Sequence, residues 1–172
     1  MGNSKNNDEI DKSMSDVTFI IPVRIDSPIR LANLLSVVLY YHNIFKTSSF
    51  IILEADVESK LYGQFTSDRI KYLFFCDTNK IFHRTKYINM MLDCVNTSIS
   101  AVWDADAICS SSQILDSVEM LRKSKAVMVY PYNGIFWSVG IAFSELFRQN
   151  LDLRFLIDYP QSVGIIPWEE LI

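Results

Sequence analysis

The stretch VTFIIPVRIDSPIRLANLL (17–35) decides the fold. Its first seven residues are an apolar, β-branched run that reads as a buried strand. Arg24 and Asp26 interrupt the run with charge. Ser27-Pro28 then has the form of a helix start. The serine oxygen can accept a bond from a free N–H of the first turn, and proline suits the first helical position. Leu31, Leu34, Leu35, Val38 and Phe45 follow at helical spacing.

The same alternation continues along the chain. FIILE (50–54) reads as a second strand, and ESKLYGQF (58–65) as a short helix containing Gly63. IKYLFF (70–75) is a third strand. From His83 to Val95 the pattern is helical, with Ile88, Met91, Leu92 and Val95 on one side. ISAVW (99–103) is a fourth strand. SQILDSVEMLRK (112–123) is a helix that turns Ile114, Leu115, Val118 and Leu121 to the core. AVMVYP (126–131) reads as a fifth strand. Near-continuous apolar strands alternating with helices predict an α/β fold, with a mostly parallel sheet covered by helices on both faces.

The chain has 172 residues, enough for one domain with a real core. Residues 1–15 are polar and predict a flexible tail, with the domain running over 16–172. The tail has no apolar segment of the kind a signal peptide needs. No apolar run is long enough for a transmembrane segment. The formal net charge of -4 argues against a broad nucleic-acid or anionic-membrane surface. Cys76, Cys94 and Cys109 are odd in number and widely spaced, with neither a zinc pattern nor a disulfide framework. Three reduced thiols in a cytoplasmic compartment are expected.

In parallel sheets, ligands bind beyond the carboxyl ends of the strands. The charged residues of this chain gather there. Arg24 and Asp26 follow the first strand, and Glu54 and Asp56 end the second. His83, Arg84 and Lys86 lie beyond the third, and Asp104 and Asp106 end the fourth. Both signs of charge on one edge suit a ligand carrying phosphates and a metal. In an extended segment, residues two apart point the same way, so Asp104 and Asp106 share a side and Ala105 faces away. Plainer roles stand beside these. The aspartates could be a solvated strand end, and Asp26 a cap for the first helix. His83 reads as a surface residue and His42 as structural. The cysteines and methionines read as core filling.

Three segments together resemble the nucleotide-binding half of GT-A glycosyltransferases, most closely glycosyltransferase family 2. FIIPVRIDSPIRLANLL is similar to that family's first strand, loop and helix. FHRTKYINMML (82–92) is similar to its basic loop entering a helix with an inward asparagine. WDADAI (103–108) is similar to its Asp-x-Asp motif. The resemblance covers roughly residues 17–135. It implies a Rossmann-like nucleotide-diphospho-sugar transferase fold. It also implies a nucleotide-sugar donor, UDP-linked, a glycan acceptor, and inverting hexosyl transfer in glycan or polysaccharide synthesis. By resemblance, Asp106 contacts a Mn²⁺ or Mg²⁺ ion, and Asp104 lies nearer the ribose or donor sugar while sharing the metal site. Pro22, Arg24 and Asp26 shape the nucleoside pocket. Glu54 stands where an aspartate usually meets the base. Arg84 and Lys86 meet the diphosphate, and Asn89 looks back from the helix.

Beyond about residue 138 the resemblance fades. The family's acceptor half supplies the carboxylate that deprotonates the attacking hydroxyl. Here Glu169 and Glu170 follow Trp168 without that motif, so the acceptor half reads as incomplete and no catalytic base is assigned. A second reading stays open: a non-catalytic nucleotide-sugar-binding remnant, or a subunit completed by another chain. A nucleotidyltransferase would want a Gly-rich phosphate loop after the first strand, which this sequence lacks. The expected location is cytoplasmic or peripheral at a membrane. Apolar surface left by an incomplete sheet would favour a homo-oligomer.

Overall fold

The computed structural model describes residues 14–157. In chain order its elements are β1 (Val17–Val23), α1 (Pro28–Ile44), β2 (Ser49–Asp56), β3 (Ile70–Cys76), α2 (Arg84–Leu92) and β4 (Ile99–Val102). These are followed by α3 (Ser111–Lys123), α4 (Ile141–Asn150) and the single turn α5 (Arg154–Ile157). The chain divides into two compact units, one ending at Ala107 and the other starting at Ile108.

The first unit is an α/β fold built on a four-stranded, all-parallel sheet in the order β3-β2-β1-β4. Parallel central strands are buried on both faces, which is why β1 is apolar apart from Thr18; all seven of its residues are buried. Successive side chains leave a strand on opposite faces. Phe19 stacks with Tyr41 and Phe45 of α1 at centroid distances of 5.7 and 5.8 Å, and with Phe50 of β2 at 5.1 Å. Ile20, one residue on, packs with Ile51, Leu53 and Ala55 against Tyr87 and Met91 of α2. The two helices therefore cover opposite faces of the sheet, as the sequence predicted. Phe19, Ile20, Tyr87 and Met91 are fully buried. Removing a side chain of this size from water stabilises a fold by about 1.5–3 kcal/mol.

Ser27 caps α1 with its hydroxyl oxygen 3.3 Å from the Arg30 N–H, and Pro28 opens the helix. At the other end of α1, Arg69 gathers exposed carbonyls. Its guanidinium donates to His42 O (3.1 Å), Phe45 O (2.9 Å) and Ser48 O (3.2 Å), and to His42 Nε2 (2.6 Å). A cation suits a helix C-terminus. Met14 is fully buried, and its carbonyl accepts from the Val17 N–H and the Ser48 hydroxyl, both at 3.1 Å.

Two expectations change. Residues 58–65 form a turn rather than a helix. The Glu54 carboxylate takes the N–H groups of Lys60 (2.9 Å) and Leu61 (3.2 Å), and Gly63 adopts the left-handed φ of 76°. Side-chain acceptors of this kind compete with the helical ladder. In the second unit, residues 126–131 form no strand. Val127 is 98% exposed, and the run pairs with nothing among the described residues. Its β-branched composition suits a strand, but a strand needs a ladder partner.

The second unit begins at a capping box. The Ser110 hydroxyl oxygen accepts from the Gln113 N–H, and the Gln113 side chain accepts from the Ser110 N–H, closing the start of α3. α4 ends at Leu151, which takes a left-handed conformation with φ 51°. Trp168, Glu169 and Glu170 lie outside the described residues.

Candidate functional site

The order β3-β2-β1-β4 places a switch point between β1 and β4. From β1 the chain steps outward to β2 and β3, then returns through α2 to the other side of β1. Ligands of open parallel sheets sit at such a crevice, beyond the carboxyl ends of the strands. Here those ends carry Arg24–Asp26 on β1 and Trp103–Asp106 on β4.

β4 runs out into a tight turn. The Trp103 indole N–H donates to Ala107 O at 2.8 Å and closes it, while the Trp103 N–H bonds Ile20 O of β1 at 2.9 Å. Asp104 and Asp106 are exposed and Ala105 is buried, the alternation expected from the sequence. Arg84, the first residue of α2, reaches Asp104 Oδ1 through Nη2 at 2.7 Å. The Asp-x-Asp turn and the basic helix start thus meet, although 20 residues separate the paired side chains.

Beside this pair lies an open cavity of about 660 Å³, lined by Asn79, Phe82, His83, Arg84, Thr85 and Lys86. The first turn of α2 has no acidic residue, and His83 makes no side-chain cap. The N–H groups of that turn add positive potential to the cations. The Lys86 ammonium rests 4.3 Å from the Phe75 ring centroid. Asn89 is exposed on α2.

Other predicted residues are held within the protein. Pro22 is buried inside β1. Asp26 accepts from Arg30 Nε at 2.9 Å in an exposed ion pair, leaving the cap to Ser27. Arg24 Nε donates to Ala55 O (2.9 Å), and its Nη1 to Asn79 O (2.7 Å) and Lys80 O (3.3 Å). Glu54 is fully buried, and its two oxygens are taken up internally. Oε1 accepts from the Lys60 N–H, and Oε2 from Leu61 N–H, Tyr72 hydroxyl (2.5 Å) and Ser59 hydroxyl (3.2 Å). Burial, and then the bond to Glu54, push the Tyr72 hydroxyl up to about 12. Asp56 is fixed as well, by Lys60 Nζ at 2.7 Å and the Val57 N–H at 2.8 Å. Burial opposes its charge, but these donors hold its carboxyl below the ordinary range.

One group in this region was not foreseen. Asp77 follows β3 directly and is buried. Oδ1 accepts from the Asn79 N–H and side-chain amide, both at 2.9 Å; Oδ2 accepts a short bond from the Tyr87 hydroxyl. The Tyr87 bond and then the Asn79 N–H hold its carboxyl at about 2. The sequence signal was Asp77-x-Asn79, an Asx-turn pattern at a strand end.

Among the described residues, no group of three or more His, Cys, Asp or Glu side chains is placed to hold a metal. Asp104 and Asp106 offer two carboxylates. No described helix is long and apolar enough to cross a membrane. Among the described residues, Cys76, Cys94 and Cys109 form no disulfide. No family model, curated protein or solved structure matches this chain.

Proposed function

We propose that the crevice between β1 and β4 binds a nucleoside-diphosphate sugar, UDP-linked, as the donor site of an inverting glycosyltransferase of the family 2 type. The observation that supports this most is the 2.7 Å contact between Arg84 and Asp104. It joins a cationic helix start to an acidic turn at the switch point of a parallel sheet, where both signs of charge have a use. A diphosphate offers the Arg84 guanidinium two oxygens for a bidentate contact, as a carboxylate also can. Lys86 and the N-terminal end of α2 add positive potential to that anion site.

The acidic turn fits a divalent ion. Mg²⁺ and Mn²⁺ prefer oxygen donors, and one or two carboxylates completed by substrate phosphates are a usual set. Asp106, with Asp104, would hold the ion; when bound, it supplies Lewis-acid stabilisation of the leaving diphosphate. The chain's own residues bind and orient the donor: Arg84 and Lys86 at the phosphates, with Asp104 between cation and sugar. Glu54 has no part in this site, because its oxygens are already occupied by the 59–61 turn and Tyr72. No residue is assigned as the base for the acceptor hydroxyl.

Titration calorimetry with UDP tests the reading. Binding is expected with Mn²⁺ present and weakened at least tenfold by Asp106→Ala, about 1.4 kcal/mol. Wild-type protein that shows no metal-dependent binding of UDP would remove the donor-site reading.

A further inference from the structure

The cavity beside Arg84 has two walls, and neither is regular sheet. One is the loop after β3, with Asn79 and Phe82; the other is the start of α2, from His83 to Lys86. Loops hold a geometry only where something ties them to a rigid element. Both walls here converge on one buried group. Asp77 stays in the ladder by donating its N–H to Asp56 O at 3.0 Å. Its Oδ1 fixes Asn79, and its Oδ2 takes the hydroxyl of Tyr87, three residues beyond Arg84 on α2.

Arg24 closes the arrangement from β1. Its Nη1 holds the carbonyls of Asn79 and Lys80, and its Nε holds Ala55 O of β2. Its Nη2 lies 3.8 Å from Asp77 Oδ2, buried and without a hydrogen-bond partner. The guanidinium also faces the Phe82 ring at 5.6 Å, and Phe82 packs on Tyr87 at 4.9 Å. A half-buried guanidinium whose Nη2 N–H groups are unmatched is kept in place by the nearby carboxylate charge.

We propose that Asp77, Tyr87 and Arg24 form a brace that positions the two walls of the cavity, so that these residues set ligand affinity without touching the ligand. The proposal rests on the donor-site reading for what the cavity binds, and on the contacts above for the brace itself. Arg24 thereby moves from a nucleoside contact to a positioning residue, and Asp77 and Tyr87 join it.

Tyr87→Phe keeps the buried ring and removes the hydroxyl. Three measurements on the full chain test the proposal. Amide exchange across 79–86 should accelerate tenfold or more, while amides of β1 and β2 keep their rates. The Asn79 amide resonance reports the charge of Asp77 across their hydrogen bond. In the wild type it should be flat above about pH 3, because the Tyr87 bond depresses the Asp77 titration. In Tyr87→Phe its titration should move to higher pH, with the Asn79 donors alone left on the carboxylate, a shift that a change of packing alone would not produce. Affinity for UDP with Mn²⁺ should fall about tenfold.

Unchanged exchange over 79–86, or an Asn79 resonance that titrates alike in both proteins, overturns the brace. A loss of protection spread over β1 and β2 also overturns it, since the hydroxyl would then support the whole unit. Wild-type protein that fails to bind UDP removes the donor reading alone; the exchange and titration results still decide the brace.

Discussion

Replacing Glu54 by glutamine separates two roles that one buried carboxylate could have. In the structure Oε1 has one donor, the Lys60 N–H, and Oε2 has the Leu61 N–H with the Tyr72 and Ser59 hydroxyls. The amide oxygen can take only one of these positions. Placed at Oε2 it keeps most of the bonds, and the NH₂ group then faces the Lys60 N–H, donor against donor. The loss is one part-buried bond to a charged acceptor, with the Lys60 N–H left facing a second donor. Together with weaker bonds to a neutral oxygen, that amounts to about 3 kcal/mol. Urea unfolding followed by circular dichroism measures it. The Tyr72 hydroxyl, now at about 12, should ionise closer to its ordinary value in an ultraviolet titration of the variant. If Glu54→Gln stays within about 0.5 kcal/mol of the wild type while UDP binding collapses, Glu54 is a ligand contact and the assignment to the 59–61 turn is wrong.

Three further outcomes follow from the same contacts. Because the Arg69 guanidinium can only donate, His42 Nε2 must accept from it, with the ring proton on Nδ1. Burial first, and then Arg69, hold the His42 pKa below 6.5, with Asp68 and Asn43 opposing. The unfolded chain therefore binds the extra proton first, and stability should fall as pH drops below about 6.5. His42→Gln retains an acceptor and should flatten that slope in urea titrations between pH 5 and pH 7. Ser27→Ala removes the cap on α1 and should cost about 1 kcal/mol in the same assay, whereas Ser27→Asp should cost little. Arg84→Ala breaks an ion pair whose side chains are 47% and 58% exposed, so stability should change by less than about 1 kcal/mol. UDP affinity should drop tenfold or more, as calorimetry would show.

The framework of the first unit was legible because its signals are local. β1 is a run apolar apart from Thr18, Ser27-Pro28 names its own helix start, and the Asp104/Asp106 alternation survives in the exposure of the turn. Strand-end logic set Arg84 and Asp104 on one edge of the sheet, but their direct contact was not expected. What escaped was long-range capture of polar groups. Arg24 reads as a pocket residue until Ala55, Asn79 and Lys80 present their carbonyls to it from other strand ends. Glu54 reads as a ligand contact until the 59–61 turn closes on it, and the same closure removes the helix expected at 58–65. Residues 126–131 have the side chains of a strand, but pairing is a property of two segments and cannot be read from one.

Paramagnetic broadening tests the account's central claim most directly. Mn²⁺ added at a small fraction of the protein concentration, with UDP in excess, should erase the amide resonances of 103–107 and 83–86. Those of 46–48 and 67–69, at the opposite end of the sheet, should stay sharp. Broadening that spares Asp104 and Asp106, or that spreads evenly over the surface, would contradict a metal–diphosphate site between β1 and β4.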